Sequence, residues 1–148
     1  MEEFRKLKKE DLYQIMNVAM KSYSRMDVEN YVMDDILSSF DNNQRYKIEL
    51  YGFFRNGILV HFSGLAKQLG IGGSYELRLG TTLPEFRRMG YCRRSIERRI
   101  AIIAERERNY KCLIQVTTRL PELFEEFEFK RTGYESRTGF IHMIKEMH

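Results

Sequence analysis

The chain reads as a mixed α/β domain, a sheet carrying helices on its faces. Three observations predict this. Hydrophobic spacing switches repeatedly between the helical period and the strand period. Asn56-Gly57 separates "YGFF" from "ILVHFSGL", and Asn-Gly favours the two positive φ angles of a type I′ hairpin, so an antiparallel pair is expected. A strand, a long amphipathic helix and another strand then follow over 75–118, which predicts a parallel, right-handed crossover. At 148 residues the chain suits one core, and a single domain over 1–148 is expected.

The elements follow in order. Phe4–Leu7 reads as a short strand. Asp11–Tyr23 carries Leu12, Ile15, Met16, Ala19 and Tyr23 at helical spacing. Asp27 is expected to cap a second helix with Val28, Tyr31, Val32, Ile36 and Phe40 inside, ended by Asp41-Asn-Asn43. Tyr46, Ile48 and Leu50 alternate with Lys47, Glu49 and Tyr51 and open the hairpin. "GIGG", 70–73, predicts a turn into a third strand, Tyr75–Thr82, which Pro84 ends. Cys92, Ile96, Ile100 and Ile103 make one face of a helix beginning near Tyr91. "KCLIQVTT", 111–118, predicts a buried strand, and Pro121 the first turn of a short helix over 121–127. "GYES" reads as a turn before a last strand, Thr138–Lys145. The expected order is β-α-α-β-β-β-α-β-α-β.

Composition narrows the function classes. Apolar residues at 43% and charged residues at 31% describe a globular chain. No apolar run approaches a membrane span, and the start MEEFRKLKKED lacks the apolar core of a signal peptide. Cys92 and Cys112 have no metal-ligand spacing and read as free buried thiols, which fits a cytoplasmic protein. Three histidines without a Cys/His cluster predict no metal site. The net charge of +4 is mild but uneven. Arg87, Arg88, Arg93, Arg94, Arg98, Arg99, Arg106 and Arg108 crowd one region, which suits an anion. Duplex or single-stranded nucleic acid is one anion to weigh. Glu97, Glu105 and Glu107 interrupt the run, no groove-reading motif accompanies it, and a solvated helix face is the plainer reading.

The loop "LPEFRRMGYCRR" carries the sharper signal. Between a strand end and a helix N-terminus, several backbone N–H groups lack partners and the helix dipole adds positive potential. Such a place binds phosphate. Gly90 permits close approach to the backbone, and the arginines add charge. The loop lacks the Gly-Lys-Ser/Thr of a Walker sequence and the repeated glycines of the dinucleotide fingerprint.

Arg87-Arg88-Met89-Gly90-Tyr91-Cys92 resembles the Arg/Gln-x-x-Gly-x-Gly/Ala loop of the GNAT superfamily, the acetyl-CoA-dependent N-acetyltransferases. "LFEEFEFKRTGYE", 123–135, is similar to the superfamily's second signature, Leu-Tyr-x-Lys-x-Gly-Phe-x-x-x-Gly. The order of elements agrees over essentially the whole chain. The resemblance implies a centrally splayed sheet with helices on both faces, and acetyl-CoA as cosubstrate with no metal. It implies that Arg87, Arg88, Met89, Gly90, Tyr91 and Cys92 hold the pyrophosphate through their backbone. Arg93 and Arg94 would assist, and Phe124 would lie along the cofactor. Leu79, Gly80, Thr81 and Thr82 would pair with the pantetheine arm. A strand glycine also marks a bulge or a close approach by itself. In this family the bulge N–H, here near Gly80, faces the acetyl carbonyl and would stabilise the oxyanion.

An ammonium must lose a proton before it attacks. Glu76, fourteen positions before Gly90, stands where histone-modifying members place a catalytic glutamate. A solvent-side charge is the alternative for Glu76, and a base acting through water, or none, stays open. Arg88 and Cys92 replace loop glycines, Glu128 replaces the glycine before Phe129, and Phe124 stands where a tyrosine often protonates the leaving thiolate. Tyr134 and Tyr91 are the substitute acids, and a thiolate with a reference pKa of about 8.5 can also leave unprotonated. The acceptor is expected to be a small-molecule or peptide amine, and the fold often dimerises. Tyr31, Phe40, Tyr51 and Phe53, with Asp34, Asp35 and Glu49, are candidates for its pocket, although surface or core packing is the preferred reading of each taken singly. The competing functions are an acyl-CoA-binding module without turnover and the nucleic-acid binder.

Overall fold

Alternating and β-branched runs form strands where expected, and one sheet collects them. The computed structural model describes residues 1–41, 47–68 and 72–148. Tyr46, Asn42-Asn43 and Gly70-Ile71, on which expectations above fall, lie outside the described residues. The elements are β1 (Glu2–Lys6), α1 (Leu12–Ser22), α2 (Arg25–Asp27), a π-helical turn (Val28–Val32), α3 (Met33–Ser38), β2 (Lys47–Arg55), β3 (Ile58–Lys67), β4 (Ser74–Thr82), α4 (Tyr91–Arg106), β5 (Cys112–Thr118), α5 (Pro121–Glu125), β6 (Lys130–Glu135) and β7 (Ile141–Met147). Short 3-10 turns occupy Lys9–Asp11 and Pro84–Phe86.

The sheet order is β1-β2-β3-β4-β5-β7-β6. Asn56 (φ 50°) and Gly57 (φ 82°) both take positive φ, and Arg55 faces Ile58, so the Asn-Gly hairpin forms as expected. β4 and β5 pair in parallel across the α4 crossover, and the other pairs are antiparallel. One core layer joins Ile15, Val18 and Ala19 of α1, Val32 and Ile36 to Leu50, Val60 and Phe62. A second joins Ile96 and Ile103 of α4 and Phe124 of α5 to Leu65, Tyr75, Leu77 and Ile114. Helices therefore cover both faces, and β3 is buried from Leu59 to Ala66.

Several expectations change. Ser24, not Asp27, caps the second helix, accepting from the Asp27 N–H at 3.1 Å. Tyr23 follows α1 in extended conformation. "GYES" is not a turn: Tyr134 and Glu135 end β6, a fully exposed strand whose charged sequence shows no apolar alternation. The turn falls at 136–139, so the last strand starts at Ile141 rather than Thr138. Tyr51 and Phe53 lie in the core rather than in a pocket. Cys112 is buried, but Cys92 is only half-buried. Glu49 is held by Arg106 and Lys6.

Candidate active site

The paired register of β4 and β5 runs only from Ser74–Leu77 against Leu113–Val116. Both strands go on, to Thr82 and Thr118, so the sheet splays at its centre. A bulge begins where pairing stops. Between Arg78 and Thr81 of β4 stand Leu79 and Gly80, while only Ser63 stands between their partners Gly64 and Phe62 of β3. The extra residue turns and twists the strand. The left-handed position is Leu79 (φ 55°), a conformation that costs a side chain about 1 kcal/mol. Gly64 permits the close approach, since a Cβ there would sit 2.9 Å from the Arg78 carbonyl. Gly80 is exposed, and its N–H points at the Tyr23 hydroxyl, 3.5 Å away.

A 340 Å³ cleft occupies the splay. Tyr23 and Tyr31 line it from one face of the sheet, Cys92, Arg99 and Phe124 from the other, and Leu79 and Gly80 form its rim. A 260 Å³ cleft continues from it, sharing Tyr31, Leu77, Leu79, Thr117 and Phe140 and adding Asp35, Glu76 and Arg78. The structure thus brings Leu79, Gly80, Cys92 and Phe124 together, with Glu76 in the adjoining space. Thr81 and Thr82 are buried on the same strand. The Thr82 hydroxyl is 2.7 Å from His61 Nδ1, and its carbonyl accepts from Ser22 at 3.1 Å.

The arginine-glycine loop leads into α4. Arg87, Arg88 and Met89 are exposed, and Arg88 (φ 64°) and Gly90 (φ 82°) are left-handed. Gly90 is the N-cap of α4, no side chain caps it, and nothing lies within 4 Å of where its Cβ would be. The first turn of a 16-residue helix thus has no side-chain cap and open space beside its N-cap, as an anion site requires.

Side chains around the loop hold internal partners. Arg93 pairs with Glu126 at 2.8 Å, linking the first turn of α4 to the end of α5. Arg94 pairs with Glu2 and lies over the Tyr91 ring, 4.5 Å from its centroid. The Tyr91 hydroxyl donates to Glu2 at 3.0 Å, so it faces β1 and not the cleft. Tyr134, on β6, is 64% exposed and lines neither cleft. Phe124 is buried edge-on to Phe129. Farther along α4, Arg106 pairs with Glu49 at 2.6 Å and Arg98 lies over Phe4. Arg99 is not on a solvated face at all: it is 2% exposed.

Burial sets the electrostatics of the two clefts. It raises the Glu76 carboxyl above the usual range, against the pull of Arg78 at 3.2 Å. It raises Asp35 too, although Arg78 donates to that carboxylate at 2.8 Å. Burial also holds the Tyr23 proton far above an ordinary phenol's, so the hydroxyl stays neutral. The raised carboxyl makes Glu76 a better proton acceptor than an ordinary exposed carboxylate.

The sequence reading missed Tyr23 and Arg99. Tyr23 ends α1, where helical spacing suggests only packing. Arg99 had a signal: positions 92, 96, 99 and 103 form one stripe of the helix, and residue type alone argued for the outside.

No family model matches the chain, and no curated protein does. Solved structures match it along its length. The ribosomal-protein-S18-alanine N-acetyltransferase of Escherichia coli superposes with a TM-score of 0.66 at 17% identity, over 99% of this chain and 93% of that one. The PaiA N-acetyltransferase of Thermoplasma acidophilum, solved with coenzyme A, gives 0.67 at 21%, over 99% of both chains. The spermidine/spermine N-acetyltransferase SpeG of Vibrio cholerae, in mutant forms, gives 0.67 at 17%, over 98% and 93%. With its splayed seven-stranded sheet and helices on both faces, the chain has the fold of the GNAT N-acetyltransferases.

Proposed function

We propose that the protein transfers the acetyl group of acetyl-CoA to an amine, by direct attack within a ternary complex. The observation that carries this reading is the bulge at Leu79–Gly80, which presents a backbone N–H to a cleft at the point where β4 and β5 part. The pyrophosphate would sit on the open first turn of α4, at Arg87–Cys92. The pantetheine arm would follow Leu79–Thr82 past Cys92 and Phe124. The Gly80 N–H would then donate to the acetyl oxygen, and most strongly once that oxygen becomes an oxyanion.

The acceptor amine would enter from the neighbouring cleft. Glu76 would take its proton, directly or through water. The nitrogen then attacks the carbonyl carbon, the C–N bond forms, the C–S bond breaks to release CoA as its thiolate, and the second proton of the nitrogen passes to solvent. Asp35 and Glu76 against Arg78 leave one net negative charge in that cleft, which favours a cationic acceptor. Spermidine/spermine and a ribosomal-protein alanine are the acceptors named for two matched structures, and both are amines.

Phe124 favours the second reading, a module that binds acyl-CoA without turnover. Of the four helix arginines behind the nucleic-acid reading, Arg93 and Arg94 are ion-paired, Arg98 lies over Phe4 and Arg99 is buried, which weakens it.

Calorimetry with acetyl-CoA and CoA tests the proposal. Wild type should bind both in the micromolar range, and Gly90→Glu, which puts a carboxylate into the phosphate cradle, should reduce affinity at least 100-fold. A folded wild type that binds neither overturns both CoA readings. With binding in hand, an amine screen against wild type and Glu76→Gln tests transfer. A loss of about 100-fold in kcat for the variant is expected from removing a general base.

A further inference from the structure

Arg99 is the largest fully buried side chain of the molecule's described residues, and no carboxylate pairs with it among them. Its guanidinium donates instead to main-chain oxygens: Nη1 to Gly64 O at 2.8 Å and Nε to Ser95 O at 3.2 Å, with Nη2 to Ser95 Oγ at 3.2 Å. Nη1 also lies 3.4 Å from Arg78 O and 3.5 Å from Leu79 O. Those last two carbonyls belong to the bulge. Arg99 offers both of them a donor, delivered from α4 across the sheet face.

The Leu79 carbonyl and the Gly80 N–H are two ends of one peptide unit. A trans peptide points them in opposite directions. A cation on the oxygen therefore fixes the N–H toward the cleft, and it also polarises the unit so that the N–H donates more strongly. The same guanidinium borders the cleft beside Cys92 and Phe124. Phe124 has no proton to give a departing thiolate there, and burial makes the Tyr23 hydroxyl a weaker acid than an ordinary phenol.

We propose that Arg99 is a positioning residue for acetyl transfer, acting through the Leu79–Gly80 peptide and as a buried positive charge that stabilises the leaving thiolate in place of an acid. This rests on the acetyl-CoA reading above. Burial lowers the guanidinium to about 10, so the charge persists at neutral pH.

Bound CoA tests it without any acceptor. The ultraviolet absorbance of the thiolate gives the ionisation of bound CoA, and NMR gives the Gly80 amide resonance. In wild type the acid ionisation constant of the bound thiol should rise at least tenfold over free CoA. Arg99→Met should abolish that rise while CoA affinity stays within about threefold, a separation that a merely structural role would not produce. Arg99→Lys keeps the charge and loses the fork. It should keep the thiol shift and move the Gly80 amide upfield. If Arg99→Met does not fold, the lysine variant decides, and an unmoved Gly80 amide overturns the proposal. A wild-type thiol that titrates like free CoA, or a methionine variant that keeps the shift, overturns it too. CoA that fails to bind at all overturns the acetyl-CoA reading as well, so the two failures are distinct.

Discussion

Two residues that are not glycine, Arg88 and Glu128, stand at φ 64° and 69°. Both hold the left-handed conformation that glycine would take without cost. Local strain of about 1 kcal/mol per residue comes with it. Glu128 offers a clean test, because its side chain is 88% exposed and its contact with Lys145, at 3.6 Å, is a surface pair worth little. Glu128→Gly should stabilise the protein by about 1 kcal/mol, raising the thermal midpoint by about 2–4 °C for a chain of this size. A calorimetric midpoint that stays or falls would refute the strain. At this scale the motif residues were readable, but their conformations were not. Leu79 shows the same limit: the sequence drew attention to Gly80, and the positive φ fell one residue earlier, because the bulge is set by pairing with β3 rather than by residue type.

Elements with apolar periodicity were legible, and elements held by neighbours were not. α1, α4, β2 to β5 and the Asn-Gly hairpin follow from spacing and turn chemistry alone. β6 has exposed residues throughout and exists because β7 offers it an edge, so nothing local announces it. The polar members of buried elements were equally silent. On β3, His61 is fully buried, 2.7 Å from the Thr82 hydroxyl and stacked on Tyr91 of α4, and its Nε2 has no protein partner among the described residues. Burial, with Arg99 and Arg94 adding repulsion, lowers its pKa from 6.5 to about 3. The folded state thus refuses a proton that the unfolded chain accepts below pH 6.5. Stability is untouched above that pH and declines as pH falls through the window from 6.5 to 3. Between pH 6.5 and pH 5 the loss from this group should be about 2 kcal/mol. The raised Glu76 and Asp35 act with the opposite sign lower down, so the comparison must be with a variant. Urea unfolding of wild type and His61→Gln at the two pH values should show the steeper loss in wild type, and equal slopes would rule out a neutral buried imidazole.

The splay governs the whole molecule. One half of the sheet, β1 to β4, carries α1 to α3, and the other, β5 to β7, is joined to it by one short parallel register at Ser74–Leu77. Beyond that register the halves meet through helices, the crossing of α4 and the exposed Arg93–Glu126 pair, which alone contributes little. The cleft is lined from both halves, Gly80 and Tyr23 on one side, Thr117 and Phe124 on the other. A ligand seated there supplies the contacts that the strands give up, so its binding should report on the joint more than on either half. Acetyl-CoA at 100 times its dissociation constant should add about 2.7 kcal/mol of stability. The thermal midpoint should then rise by about 5–10 °C. Amide exchange locates the effect: protection should increase at Leu79–Thr82 and in the first turn of α4, with the β2–β3 hairpin unchanged, because that hairpin is paired on both sides of its bulge at Phe53–Phe54 without ligand. Gly90→Glu should lose the added protection and the thermal gain together. Protection spread evenly over the hairpin and the cleft alike would mean that the ligand tightens the whole fold, and that the splayed joint is not where it binds.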